Sequence, residues 1–214
     1  VCRWNPTRSV TDRIEVLAEY VRDGDVLDLG VVDSRVAHGT AEQRIGSSDK
    51  ILFFKLVEIN PNIVGLDLDA EGVEALKARG YNAICGDVQV VDIGRQFDTI
   101  VAGEIIEHLD NPGQFLQNMR RHLKPNGHLV VSTPNPFYAK QRGKIWRRGM
   151  PQVHEEHTCW FDPITLNHSF NRAGLKTVDS CWINPSGQFF KTWPRFLRGY
   201  FSHSFMMIAS VQSD

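Results

Sequence analysis

Five short apolar runs alternate with helix-forming segments between residues 25 and 134, and this alternation is the strongest constraint on the fold. The runs are Asp25–Gly30 (DVLDLG), Asn62–Asp67 (NIVGLD), Tyr81–Gly86 (YNAICG), Phe97–Ala102 (FDTIVA) and His128–Thr133 (HLVVST). Each is too short for a helix and apolar on successive residues, as in strands covered on both faces. The segments between them carry helical spacing: Ser48–Ile59, Ala70–Arg79 and Pro112–Leu123. Short connections between alternating strands and helices predict an α/β fold with a parallel sheet and helices on both faces. An amphipathic helix over Ser9–Val21 precedes the pattern. Beyond Pro134 come a loop-like stretch to residue 160, a helix opened by Asp162-Pro163, and strands over Leu175–Ile183 and Ser204–Val211.

Ligands of such sheets bind at the carboxyl ends of the strands. Those ends are where polar residues collect here: Asp28 and Gly30, Asp67, Asp87, Glu104 and Thr133. One acid after a strand is an ordinary helix cap. A series at successive strand ends points to a ligand with several polar groups.

Composition narrows the functional classes. There are 24 Lys and Arg against 25 Asp and Glu, which excludes a chain whose main task is coating a polyanion. The balance is uneven, with residues 1–139 carrying a surplus of six acidic charges and residues 140–214 a surplus of five basic ones. Four scattered cysteines (Cys2, Cys85, Cys159, Cys181) lack any C-x-x-C pair and read as free thiols. No apolar run approaches the roughly 20 residues of a membrane span, and no signal-peptide pattern opens the chain. A cytoplasmic, single-domain protein over residues 1–214 is the expectation.

The chain resembles the class I S-adenosylmethionine-dependent methyltransferases. The resemblance rests on VLDLG at 26–30, GLD at 65–67, GD at 86–87, FDTIVAGEIIEHL at 97–109, LKPNGHLVVSTPNP at 123–136 and HTCWFDPITL at 157–166. It implies a Rossmann-like, doubly wound, mostly parallel seven-stranded sheet whose last strand is antiparallel. It also implies cofactor contacts from Asp28, Gly30, Asp67, Leu68, Asp87, Val88 and Glu104. In this assignment Asp67 accepts from the ribose hydroxyls and Asp87 with Val88 holds the adenine. The family's D-x-G-x-G-x-G loop is altered, since Val32 and Ser34 stand where glycines are usual.

A second cluster is Glu104-x-x-Glu107-His108 with His157 some fifty residues later. If helical, positions 104, 107 and 108 share one face, and two carboxylates with imidazoles suit Mg²⁺ or another divalent ion. The set is similar to that of ubiquinone-pathway O-methyltransferases and of small-RNA 2′-O-methyltransferases. Two roles stay open: Glu104, Glu107, His108 and His157 as metal ligands, or Glu107, His108 and His157 as catalytic groups without metal. His154 reads as a solvated neighbour.

Segments 134–160 and 184–203 hold the substrate cover that the resemblance implies. Lys140, Arg142, Lys144, Arg147 and Arg148 surround Trp146, and Phe189, Phe190, Trp193, Phe196, Tyr200 and Phe201 follow. Such a surface suits an acceptor with an anionic part and a planar or apolar part. The expected function is O-methylation of a small molecule or glycan. An RNA 2′-O-methyltransferase and a catalytically silent cofactor-binding protein are the alternatives.

Overall fold

Each strand forms where an apolar run can be buried from both sides. A computed structural model describes residues 6, 8–33, 40–46, 51–184 and 194–211. In chain order the elements are β1 (Arg8–Val10), α1 (Ile14–Val21), β2 (Val26–Leu29), α2 (Ala41–Arg44), α3 (Leu52–Ile59), β3 (Val64–Asp67), α4 (Ala70–Ala78), β4 (Ala83–Cys85) and β5 (Phe97–Gly103). They continue with α5 (Pro112–Arg121), β6 (Leu123–Pro134), α6 (Ala139–Arg148), α7 (Pro163–Arg172), β7 (Leu175–Ile183), α8 (Arg195–Phe201) and β8 (Ser204–Val211).

The strands form one sheet in the order β1-β7-β8-β6-β5-β2-β3-β4. Only β8 is antiparallel, pairing with β6 and β7 on its two sides. The Rossmann-like, mostly parallel arrangement is as expected, with an eighth strand added. That strand, β1, pairs in parallel with β7 through Arg8–Val10. Ser9 and Val10 belong to this strand and not to the helix expected from Ser9, because a three-residue edge strand has no periodicity of its own.

Helix ends follow local chemistry. Asn111 caps α5 through Gln114 N–H with Pro112 in the first turn, and Asp162 forms a capping box with Thr165 ahead of Pro163. α6 corrects the loop-like reading of 134–160. It is built from good helix formers and ends at Gly149 (φ +74°), but none of its residues is buried. With no buried stripe there is no apolar period to read.

Two cores lie on opposite faces of the sheet. Phe97, Phe115, Leu116, Phe170 and Phe205 anchor one, and Leu17, Phe53, Leu56 and Leu76 the other. Strand order reverses direction between β2 and β5, so their carboxyl ends open a crevice. Cys85, Cys159 and Cys181 are free thiols, and Cys2 lies outside the described residues. Among the described residues no helix is long and apolar enough to cross a membrane.

Candidate active site

The crevice is floored by the turn that follows β2. Gly30 adopts φ +71°, a conformation that favours glycine, and its N–H donates to the Leu66 carbonyl at 2.9 Å. Two residues on, Val32 N–H donates to Asp67 Oδ2 at 2.8 Å, while Asp69 N–H donates to Oδ1 at 2.9 Å. Burial pushes the Asp67 carboxyl up, and these N–H donors oppose that. Each Asp67 oxygen keeps a free lone pair, enough for two adjacent ribose hydroxyls.

Val32 replaces a usual glycine without closing this turn. A Cβ at Gly72, in the first turn of α4, would lie 2.7 Å from Val32 Cγ2. The isopropyl group therefore occupies space that position 72 leaves empty. Gly72→Val is expected to weaken S-adenosylhomocysteine binding about tenfold through the strain of overpacking. Calorimetric titration should then find the loss restored in the Val32→Gly/Gly72→Val double variant, which moves the bulk across the contact. Ser34 lies outside the described residues.

Further along the crevice, Asp87 Oδ1 accepts from Gln89 N–H at 2.8 Å, and Gln89 Oε1 accepts from Asn111 N–H at 2.7 Å. Gln89 thus ties the Asp87 turn to the cap of α5. Leu68 is 72% exposed beside this turn, and Val88 is buried beneath it. The resulting cleft, about 470 Å³, is lined by Gly30, Asp67, Leu68, Asp87, Val88 and Glu104 among others. Asp28 is different. It lies beneath the floor, 2% exposed, with Oδ1 unpartnered.

β5 ends on Gly103, and Glu104 then takes φ +55°, a left-handed conformation uncommon for a residue with a side chain. Strain of this kind concentrates where geometry serves a site. Glu104 N–H donates to the Ser132 carbonyl at 2.9 Å. A 3₁₀ turn, Ile106–His108, follows. Residues 104, 107 and 108 therefore do not share an α-helical face. The tight turn, rather than helical spacing, presents Glu107 and His108.

Glu107 is 1% exposed; its Oε2 accepts from Thr133 Oγ1 at 3.0 Å, and Oε1 has no partner. Burial pushes its carboxyl up to about 7, reinforced by the charge of Glu104. The Glu107 carbonyl accepts from Thr158 N–H at 2.9 Å, which fastens the 154–158 loop to this turn. That brings His157 to His108, ring centres 4.6 Å apart. Desolvation lowers the pKa of both imidazoles. Ligand atoms of Glu107, His108 and His157 all lie within 4.8 Å of one another. Glu104 stands outside that group, although its charge reaches all three residues. His154 is exposed, with its ring centre 5.5 Å from that of His157.

Two more compartments adjoin the first. One, between the carboxylates and α1, is lined by Arg13, Glu104, Glu107, His108 and His157. The other, about 410 Å³, runs from Glu107 and His157 to α6. Arg13 was missed at the level of sequence, where it fell among the polar positions of the helix expected over Ser9–Val21. In the structure it lines the crevice, and its side chain makes no hydrogen bond or ion pair to any described residue. It is placed to meet a ligand carboxylate. Gln89 and Thr158 were missed because Asn111 N–H and the Glu107 carbonyl, which they meet, are distant in sequence, whereas Thr133, read as a polar strand end, proves to be the partner of Glu107. Phe189, Phe190, Trp193 and the side chain of Phe196 lie outside the described residues.

Comparison with known proteins agrees with this geometry. Residues 7–180 match the family model described as a methyltransferase domain. Ubiquinone biosynthesis O-methyltransferase of Brucella ovis is 23% identical over 194 residues, covering 85% of this chain and 75% of the relative. The enzyme of the same name from Nitrobacter winogradskyi is 27% identical over 196 residues, covering 84% and 75%. A SAM-dependent methyltransferase of known structure from Archaeoglobus fulgidus superposes with a TM-score of 0.64 at 14% identity, covering 92% of this chain and 91% of its own. The orphan lone pairs of Asp67, the exposed Leu68 and the unpaired Arg13 fit a ligand with a ribose, a planar base and a carboxylate. The chain belongs to the methyltransferase domain family and is a class I S-adenosylmethionine-dependent methyltransferase.

Proposed function

We propose that the protein methylates a hydroxyl oxygen of a small-molecule or glycan acceptor, with Glu107, His108 and His157 as the groups that handle the acceptor proton. One observation carries this reading. A buried carboxylate with an unpartnered oxygen stands beside two imidazoles held neutral, where the cofactor cleft meets a second cleft. S-adenosylmethionine supplies, when bound, a methyl group on a sulfonium, open to in-line displacement. The chain's task is alignment, exclusion of water and removal of a proton. An amine or thiol acceptor needs little of the last; a hydroxyl needs it most. The ubiquinone biosynthesis O-methyltransferases among the relatives support an oxygen acceptor.

Asp67 and Asp87 hold the two ends of the nucleoside, and Arg13 the carboxylate of the methionine end. Glu104, in its strained conformation, borders the cofactor cleft and the compartment of Arg13. The Glu107–His108–His157 set also fits a divalent cation, because the donors are a carboxylate and two neutral imidazoles with one carboxylate oxygen free. A cation bound there would lower the pKa of a coordinated hydroxyl. The silent-binder alternative rested on Val32 and Ser34, and Gly72 gives the first of these its space.

Labelled S-adenosylmethionine offered with a panel of catechol, sugar, aliphatic alcohol, amine and thiol acceptors tests the reaction, with and without chelator. Transfer only to amines or thiols would overturn the oxygen assignment. Manganese resonance spectra, recorded with and without Glu107→Gln, test the cation independently of turnover.

A further inference from the structure

The second cleft has a charge pattern that proton removal does not require. Its deep end is Glu107, the one carboxylate among the described residues that line it. Its opposite wall is α6, from which Lys140 and Lys144 both line the space. Four residues apart on a helix, they are neighbours on one face. Neither side chain makes an ion pair or hydrogen bond to any described residue. No Asp or Glu occurs anywhere from Asn111 to His154, so no local partner exists for them.

Such a helix works against itself. Lys140 with Lys144, and Lys144 with Arg148, are like charges at i,i+4, each spacing destabilising. Surface helices ordinarily interleave acids to avoid this. Arg142 is engaged elsewhere, lying over the Tyr200 ring at 5.2 Å, and this contact braces α6 against α8. Arg147 and Arg148 do not line the cleft. The lysine pair is therefore both unneutralised and directed to a compartment whose floor is a buried, half-satisfied carboxylate. Between the two ends lie Trp160, 41% exposed, and Tyr138, packed edge-on to His203.

We propose that this cleft takes a methyl acceptor carrying a phosphate group, seated between Lys140 and Lys144, with the reacting hydroxyl at Glu107 and His157 and its body against Trp160 and Tyr138. The inference rests on the reading of this cleft as the acceptor side. A phosphate ester joined to a nucleoside or to a lipid presents the same chemistry to the two lysines.

The test uses the full chain saturated with S-adenosylhomocysteine. Inorganic pyrophosphate, uridine diphosphate, and vesicles of phosphatidylglycerol or phosphatidylcholine are titrated in turn. Saturable binding of a phosphate probe is expected, weakened at least tenfold in Lys140→Gln/Lys144→Gln. Arg147→Gln/Arg148→Gln removes the same charge from the same helix and is expected to change it by less than threefold. Uridine diphosphate binding indicates a soluble nucleotide-linked acceptor. Binding confined to phosphatidylglycerol vesicles indicates a lipid-linked one. No saturable binding of any probe, or equal losses in the two double variants, overturns the proposal. S-adenosylhomocysteine affinity, measured separately in each protein, keeps this outcome apart from a failure of the methyl-transfer reading.

Discussion

Replacing Glu107 by glutamine is expected to slow single-turnover methyl transfer by about 10²–10⁴-fold, the usual range for loss of a positioned proton acceptor. S-adenosylhomocysteine affinity should stay within about twofold, because Glu107 does not line the nucleoside cleft and glutamine keeps its shape where it borders the compartment of Arg13. Glutamine keeps the shape and can still accept from Thr133 Oγ1. It changes the free oxygen and the charge, so a large rate effect on an intact fold isolates the chemistry. The hydroxyl acceptor returned by the acceptor screen serves as substrate. An unchanged rate would remove Glu107 from the mechanism and leave the carboxylate as a structural anchor for the 154–158 loop.

The second large effect concerns stability. Burial pushes the Asp28 carboxyl up to about 8, against the charge of Arg13 and the Leu29 N–H, and the nearby Asp67 adds to the rise. The folded protein therefore binds a proton that the unfolded chain has already released near its ordinary value of 3.8. Stability from this group is complete below the unfolded value. It declines as pH rises and is exhausted once pH passes about 8. Each pH unit in that window is worth about 1.4 kcal/mol, so roughly 4 kcal/mol is at stake between pH 5 and 8. Glu107, raised to about 7, acts in the same direction. His108, His128 and His157, all lowered by desolvation, act oppositely as pH falls. The informative quantity is thus the difference between wild type and Asp28→Asn in urea unfolding at several pH values. The variant should lie progressively closer to wild type, or above it, as pH rises. A constant difference would show that Asp28 is ionised in the fold.

Much of the fold could be read in advance because a parallel strand buried on both faces must be a continuous apolar run. β2, with all four residues buried, is the clearest case. β1 and α6 escaped for opposite reasons. Three residues at a sheet edge carry too little pattern, and a helix with no buried residue carries none. The strand-end rule similarly made the site carboxylates legible, and Gly30, Asp67, Leu68, Asp87, Val88 and Glu104 do come together around one cleft. Arg13 and Thr158 could not be found that way. Thr158 meets the Glu107 carbonyl across 51 positions of chain, and nothing near either residue announces the contact. Helical spacing was also the wrong reason for grouping Glu107 with His108, since a 3₁₀ turn presents them.

The fit between Val32 and Gly72 bears on how such chains diverge. Forty positions apart, the two residues share one fixed volume, so neither can be judged alone. A relative that regains glycine at the position of Val32 is free to carry a side chain at the position of Gly72, and one that keeps valine is not. Side-chain size at the two places should therefore be inversely related across relatives. A pattern search that insists on the glycine loop would discard sequences whose only departure is to have moved the gap to the other side of the same contact.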